Sequence, residues 1–145
     1  MREVYSFDRD WKFYPGEPEG TDLKSHSASY SLCKTGGEIG PAGKNYDDKD
    51  WQTVCVPHDY LEGVSVFADF YFNGSLIAKS ISAYTEITID LTDRAFFGTS
   101  ALNIIAVHID GTSTEGWWYE GAGIYRHVKL YASEPVHFVH NGVFV

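Results

Sequence analysis

The stretch from Val64 to Ser80, VSVFADFYFNGSLIAKS, decides the fold class. Val66, Ala68, Phe70 and Phe72 recur at every second position, and Phe67, Asp69 and Tyr71 fill the positions between. Successive side chains of a strand point to opposite faces, so this is the pattern of a half-buried strand. Asn73-Gly74 follows at once, and SLIAKS comes next. A two-residue hairpin of type I′ needs positive φ at both central residues, which Asn-Gly supplies. The segment is therefore a β-hairpin.

The same period extends outward. TEITIDLT (85–92) places Ile87, Ile89 and Leu91 inward, with Glu86, Thr88 and Asp90 outward. ALNIIAVHI (101–109) is apolar on both faces and reads as a central strand. HVKLYA (127–132) and VHFVHNGVFV (136–145) read as two more strands, separated by Ser133-Glu134-Pro135. Asp10-Trp11-Lys12-Phe13 suggests a short edge strand, and Thr53 to Val56 another after the turn signals around Asp47, Asp48 and Asp50. No segment holds a helical period over three turns. An all-β sandwich follows, in one domain over 1–145. The Gly-, Ser- and Pro-rich stretch 15–45 has no core pattern and reads as a long loop, disordered or a surface excursion.

Composition narrows the function. The 145 residues carry 11 Lys and Arg against 20 Asp and Glu, a net charge of −9. No basic cluster is present, which argues against nucleic acid. No apolar run reaches membrane-spanning length, and the charged N-terminus lacks an apolar signal core, so a cytoplasmic location is expected. Cys33 and Cys55 read as free structural thiols. The histidines are scattered: His137 and His140 face opposite sides of a strand, and neither a metal site nor a cofactor is expected.

Two segments carry candidate chemistry. TEGWWYEGAGIYRHV (114–128) combines Glu115, Trp117, Trp118, Tyr119, Glu120, Tyr125 and Arg126 with Gly121 and Gly123. Aromatic rings that pack on a pyranose face, with carboxylates that accept hydroxyl hydrogen bonds, are the kit for holding a sugar. A loop whose tryptophans plug one end of a sandwich would have the same composition. Glu115 and Glu120 do not read as a glycosidase pair, because five positions on a glycine-rich loop do not fix the roughly 5 Å separation of a retaining enzyme. The second segment is Pro57-His58-Asp59-Tyr60. Its His beside an Asp reads either as an oriented general base or, the preferred reading, as a strand end with His58 and Asp59 capping a loop.

Trp118-Tyr119, Gly121 and Gly123-Ile124-Tyr125-Arg126 resemble the W-Y-x-G-x-G-I-Y-R signature of glycoside hydrolase family two. Other pieces agree in order. Trp11-Lys12-Phe13 resembles W-x-F. Tyr46-Asp47-Asp48, Asp50-Trp51 and Pro57-His58-Asp59-Tyr60 resemble D-D-x-x-W and P-H-D-W. Phe72-Asn73-Gly74 resembles V-N-G, Tyr84 to Thr92 resembles Y-T-x-F-x-x-D-L-T, and Asn103 to Val107 resembles N-x-L-A-V. The resemblance implies the amino-terminal sugar-binding domain, or a fragment of it, of a β-galactosidase-type enzyme: a jelly-roll sandwich of the galactose-binding type. The catalytic TIM barrel with its two glutamates lies outside this chain, which is then expected to be inactive alone.

Under the resemblance, the segment around Glu115 to Tyr125 would shape the sugar rim, with Pro57, His58, Asp59, Gly121, Gly123 and Arg126 bracing it; Arg126 is expected to tie the loop to a carboxylate, with Asp59 the candidate. Implied partners are a β-galactoside-type sugar and the parent enzyme's barrel or another chain. One departure stands out. Tyr60 runs straight into Leu61-Glu62-Gly63-Val64, where family members place two further strands. Their loss would leave open sheet edges, through which the chain is expected to form a homo-oligomer. A free-standing carbohydrate-binding module and a structural protein-interaction domain are the competing functional readings.

Overall fold

The computed structural model describes residues 2–18, 40–62, 67–81, 85–98, 102–110, 121–138 and 142, with the side chains of 59–62, 121 and 122 left aside. The described residues form nine strands: β1 (Arg2–Ser6), β2 (Trp11–Phe13), β3 (Gln52–Val54), β4 (His58–Glu62), β5 (Phe67–Phe72), β6 (Ser75–Ser80), β7 (Ile105–Asp110), β8 (Gly121–Ile124) and β9 (Lys129–Ser133). Every pairing is antiparallel, and no helix occurs among the described residues. The architecture is all-β and consistent with a β-sandwich. The strands form one three-stranded sheet, β6-β5-β7, and three pairs, β1-β9, β2-β3 and β4-β8.

The hairpin forms as its sequence dictates. Asn73 and Gly74 have φ of 48° and 78°, the positive values a type I′ turn demands. Ala68 and Phe72 are buried and Phe70 half-buried, whereas Phe67 on the opposite face is exposed. A second feature locks the turn in place. The buried Asn73 side chain accepts the Ile104 N–H at 2.8 Å and donates to Arg94 O and Asn103 Oδ1 at 3.2 and 3.0 Å. Asn103 in turn accepts from Phe96 N and donates to Phe96 O, at 2.8 and 2.9 Å. Two side-chain amides thus replace a strand ladder between the hairpin, the 94–97 loop and the entry to β7.

Several expectations are corrected. The segment 86–91 forms no strand, and Ile87 is exposed rather than inward. Among the described residues no strand pairs with it, and it ends in a turn: Asp90 Oδ1 accepts Thr92 N–H, and Leu91 O accepts from Arg94 and Ala95. Alternation alone cannot make a strand without a neighbour to take its backbone hydrogen bonds. β7 is shorter than ALNIIAVHI and, among the described residues, pairs with β5 alone; β5 is the central strand. Residues 136–138 form no strand, with Val136 95% exposed. β9 begins at Lys129 because His127 and Val128 are held by Asp8. β3 ends at Val54, since the Val56 N–H goes to Asp8 O at 2.8 Å. His58 and Asp59 open β4 as strand residues. Of the stretch 15–45, residues 19–39 lie outside the described residues, but Gly40, Ala42 and Gly43 are buried, so its end packs inward.

The core is thin. Ala42, Val56, Ala68 and Phe72 are the buried apolar residues among those described, and no large side chain there is fully enclosed. Ile81, Phe97 and Phe138 remain largely exposed. With so little enclosed apolar area, the isolated chain is expected to be marginally stable or to associate. Sedimentation combined with a thermal melt checks this; a sharp cooperative transition from a clean monomer would contradict it. Asn73→Ala should destabilise by about 1–3 kcal/mol, because the Ile104 N–H loses its side-chain acceptor and Arg94 O and Asn103 Oδ1 each lose a donor. Asn73→Gly, which suits the positive φ but makes no hydrogen bond, should not restore the loss in a urea titration.

Candidate functional site

The two segments singled out in the sequence meet as strands. β4 and β8 pair antiparallel, with His58 opposite Ile124 and Asp59 opposite Gly123; the register then shifts, so that Leu61 faces Ala122 and Glu62 faces Gly121. Tyr60 falls at the shift, an irregularity of the β-bulge kind. Gly121 and Gly123 are therefore strand residues beside β4 rather than turn points. The Val56-Pro57 peptide bond leading into β4 is cis. The His58 ring tilts against Phe13 of β2, with centroids 4.8 Å apart, so packing on β2 positions the P-H-D segment.

Beyond β8 the chain emerges at Tyr125 and Arg126, both exposed. The Arg126 guanidinium lies 5.3 Å from the Tyr125 ring centroid, a cation–π distance. The pairing of Arg126 with Asp59 falls outside the described side chains. Glu115, Trp117, Trp118, Tyr119 and Glu120 lie outside the described residues, as do Cys33, His26 and His140. Cys55 is free and exposed. Among the described residues no three His, Cys, Asp or Glu side chains come together as a metal-holding group.

The residue that organises this region is Asp8, which the sequence did not single out. Its Oδ1 accepts the Val128 N–H at 2.8 Å, and its Oδ2 accepts from His127 Nδ1 at 2.9 Å and Ser6 Oγ at 3.0 Å. Its main-chain oxygen takes the Val56 N–H, and Phe7 N–H donates to Val128 O at 2.9 Å. Asp8 thereby ties the end of the W-Y-x-G-x-G-I-Y-R segment to the entry of the P-H-D segment. An open depression of about 480 Å³, lined by Ser6, Phe7, Arg9 and Asp10, lies on the same stretch. The Val128 N–H, first, and then His127 and Ser6 hold the Asp8 carboxyl below its ordinary value. A Ser-x-Asp strand exit is too common a pattern to have announced partners 119 and 120 residues away.

A second aromatic group sits beside this region. Tyr14 and Tyr46 both pack on Trp51, at centroid distances of 5.3 and 5.6 Å. They hold the D-D-x-x-W turn against the strand exit of β2.

Two curated relatives match nearly the whole chain. One is a protein of Formosa agariphila, provisionally named a β-glucuronidase, 27% identical over 144 residues; these cover 99% of this chain and 13% of the relative. The other is the β-galactosidase BoGH2A of Bacteroides ovatus, 23% identical over 169 aligned positions, covering 99% of this chain and 20% of the relative. The chain thus spans a small part of each. Since 169 positions exceed 145 residues, at least 24 positions of that second alignment have no counterpart here. No family model matches, and no solved structure matches.

Because the Asp8 carboxyl titrates below its ordinary value of 3.8 in the folded chain, it contributes stability above that pH and loses it as pH falls through the folded value. Asp8→Asn should lower the melting temperature at pH 7. The gap from wild type should narrow below pH 3.8. Melts across pH 2.5–7 check both; a gap that stays constant across this range would overturn the assignment.

Proposed function

We propose that this chain is an amino-terminal sugar-binding domain, or a fragment of one, of a β-galactosidase-like glycoside hydrolase. We infer a jelly-roll sandwich of the galactose-binding type, shortened by two strands near Tyr60. The observation that carries the reading is the end-to-end match to two proteins named as glycosidases. It is supported by β4 and β8, which bring the P-H-D and G-x-G-I-Y-R segments side by side.

In this reading the pair β4-β8 is a scaffold. It delivers the aromatic segment before Gly121 and the Tyr125-Arg126 pair to the rim of a sugar site. Trp117, Trp118, Tyr119 and Tyr125 supply ring faces, and Glu115 or Glu120 accepts a sugar hydroxyl. Pro57, His58, Asp59, Gly121, Gly123 and Arg126 brace the rim, with Asp8 beneath them. The bond-breaking step, hydrolysis of a β-glycosidic bond with retention, uses a carboxylate nucleophile and a carboxylic acid/base. Those two groups belong to the barrel of the parent enzyme, which is also the rim's docking partner.

The 145-residue chain is accordingly expected to give no turnover of a chromogenic β-galactoside. Measurable hydrolysis by the purified chain, lost on a conservative change at Glu115 or Glu120, would overturn the non-catalytic assignment.

A further inference from the structure

The outward face of the β6-β5-β7 sheet is built unlike a plain solvated surface. Register places three strands in one row: Lys79 of β6 and His108 of β7 stand on either side of Asp69. Lys79 Nζ donates to Asp69 Oδ2 at 2.8 Å. Asp69 is only 17% exposed in its side chain, and this bond fixes the carboxylate while its Oδ1 stays an acceptor. His108 Nε2 lies 2.9 Å from Glu17 Oε1, so a second carboxylate is held over the same row from the segment after β2.

Two aromatic residues flank the row on the same strand and the same face. Phe67 and Tyr71 stand two positions before and after Asp69, and Phe67 is 43% exposed. The phenol of Tyr71 is raised above its ordinary value by burial and then by Asp69 and Glu17. It therefore stays an O–H donor throughout the physiological range.

We propose that this face is a second carbohydrate-binding surface, built from other residues than the Glu115–Tyr125 segment, for a neutral oligosaccharide lying along β5. Phe67 and Tyr71 supply ring faces for pyranose C–H surfaces, while Asp69 accepts from hydroxyls and His108 and Tyr71 exchange hydrogen bonds with them. Four residues of strand set the two rings about 13 Å apart, too far for one pyranose, so a chain of several sugars is the matching ligand. Charge selects the class. Among the described residues of this face Glu17, Asp69 and Asp110 are set against Lys79, and the chain carries −9 overall. A uronate-bearing glycan is repelled, and a neutral hydroxyl-rich one is accepted.

The ligand class rests on the glycosidase reading, but the site does not share its residues. The test is calorimetry on the 145-residue chain with galactose, a neutral galactotetraose and an oligogalacturonate of equal length. The tetraose is expected to bind at least tenfold more tightly than galactose, and the oligogalacturonate not at all. Phe67→Ala, at an exposed position, should weaken tetraose binding about five- to tenfold, the size expected for one aromatic platform. Asp69→Asn should weaken it several-fold, and Phe138→Ala, an exposed position belonging to neither residue set, should leave it unchanged. Loss on Trp118→Ala with Phe67→Ala silent would uphold the rim and overturn this surface. Loss on Phe67→Ala with Trp118→Ala silent would uphold this surface, whatever the chromogenic assay says of the parent reaction. Equal affinity for galactose and tetraose, preference for the acidic glycan, or no binding of any sugar would overturn it.

Discussion

The Asp8 carboxylate is the constraint on which the candidate site depends. A chain of short paired strands has few ways to fix one pair against another, because each pair satisfies only its own backbone. Asp8 supplies a link that the strands cannot. Its two carboxylate oxygens take the Val128 N–H and the His127 and Ser6 side chains, while its main-chain oxygen takes Val56. Hydrogen bonds to an ionised acceptor are stronger than neutral ones. One acidic residue thus joins the exit of β1, the end of β3 and the start of β9. Trp11 reinforces it, donating its indole N–H to Phe7 O at 2.6 Å.

The second such link is the amide pair Asn73 and Asn103. Both sit in pieces of sequence that resemble family motifs, and the structure gives those motifs a physical reason. Asn73 serves twice: it adopts the positive φ of the turn, and its side chain bridges to Ile104, Arg94 and Asn103. Glycine could meet the first demand and not the second; glutamine could not place its amide at the same reach. The motif asparagines hold loops in place, which is a structural role. In these segments the motif residues mark the framework.

Much of the fold was legible because it depends on local chemistry. The β5-β6 hairpin follows from alternation and Asn-Gly, and β2 from Trp11-Lys12-Phe13. What was not legible depends on neighbours. TEITIDLT alternates as cleanly as β5, yet residues 86–91 form no strand and leave Ile87 exposed. ALNIIAVHI reads as central from its apolarity, but edge position is set by which strands exist elsewhere. For the site, the meeting of Pro57–Tyr60 with Gly121–Tyr125 was implied by their membership of one signature set, and β4-β8 supplies the geometry. Asp8 was invisible because its value lies in partners far along the chain.

The junction at Tyr60-Leu61 ties these threads together. Here β4 runs through the junction from His58 to Glu62, and the register slips between Asp59 and Leu61. A bulge is the cheapest splice, because it absorbs one residue and keeps the partner strand paired on both sides. Among the described residues the strands form one three-stranded sheet and three pairs, and no large side chain is fully enclosed. The local links at Asp8 and Asn73 then matter more than they would in a densely packed core. They hold by specific hydrogen bonds an arrangement that burial alone is too weak to fix.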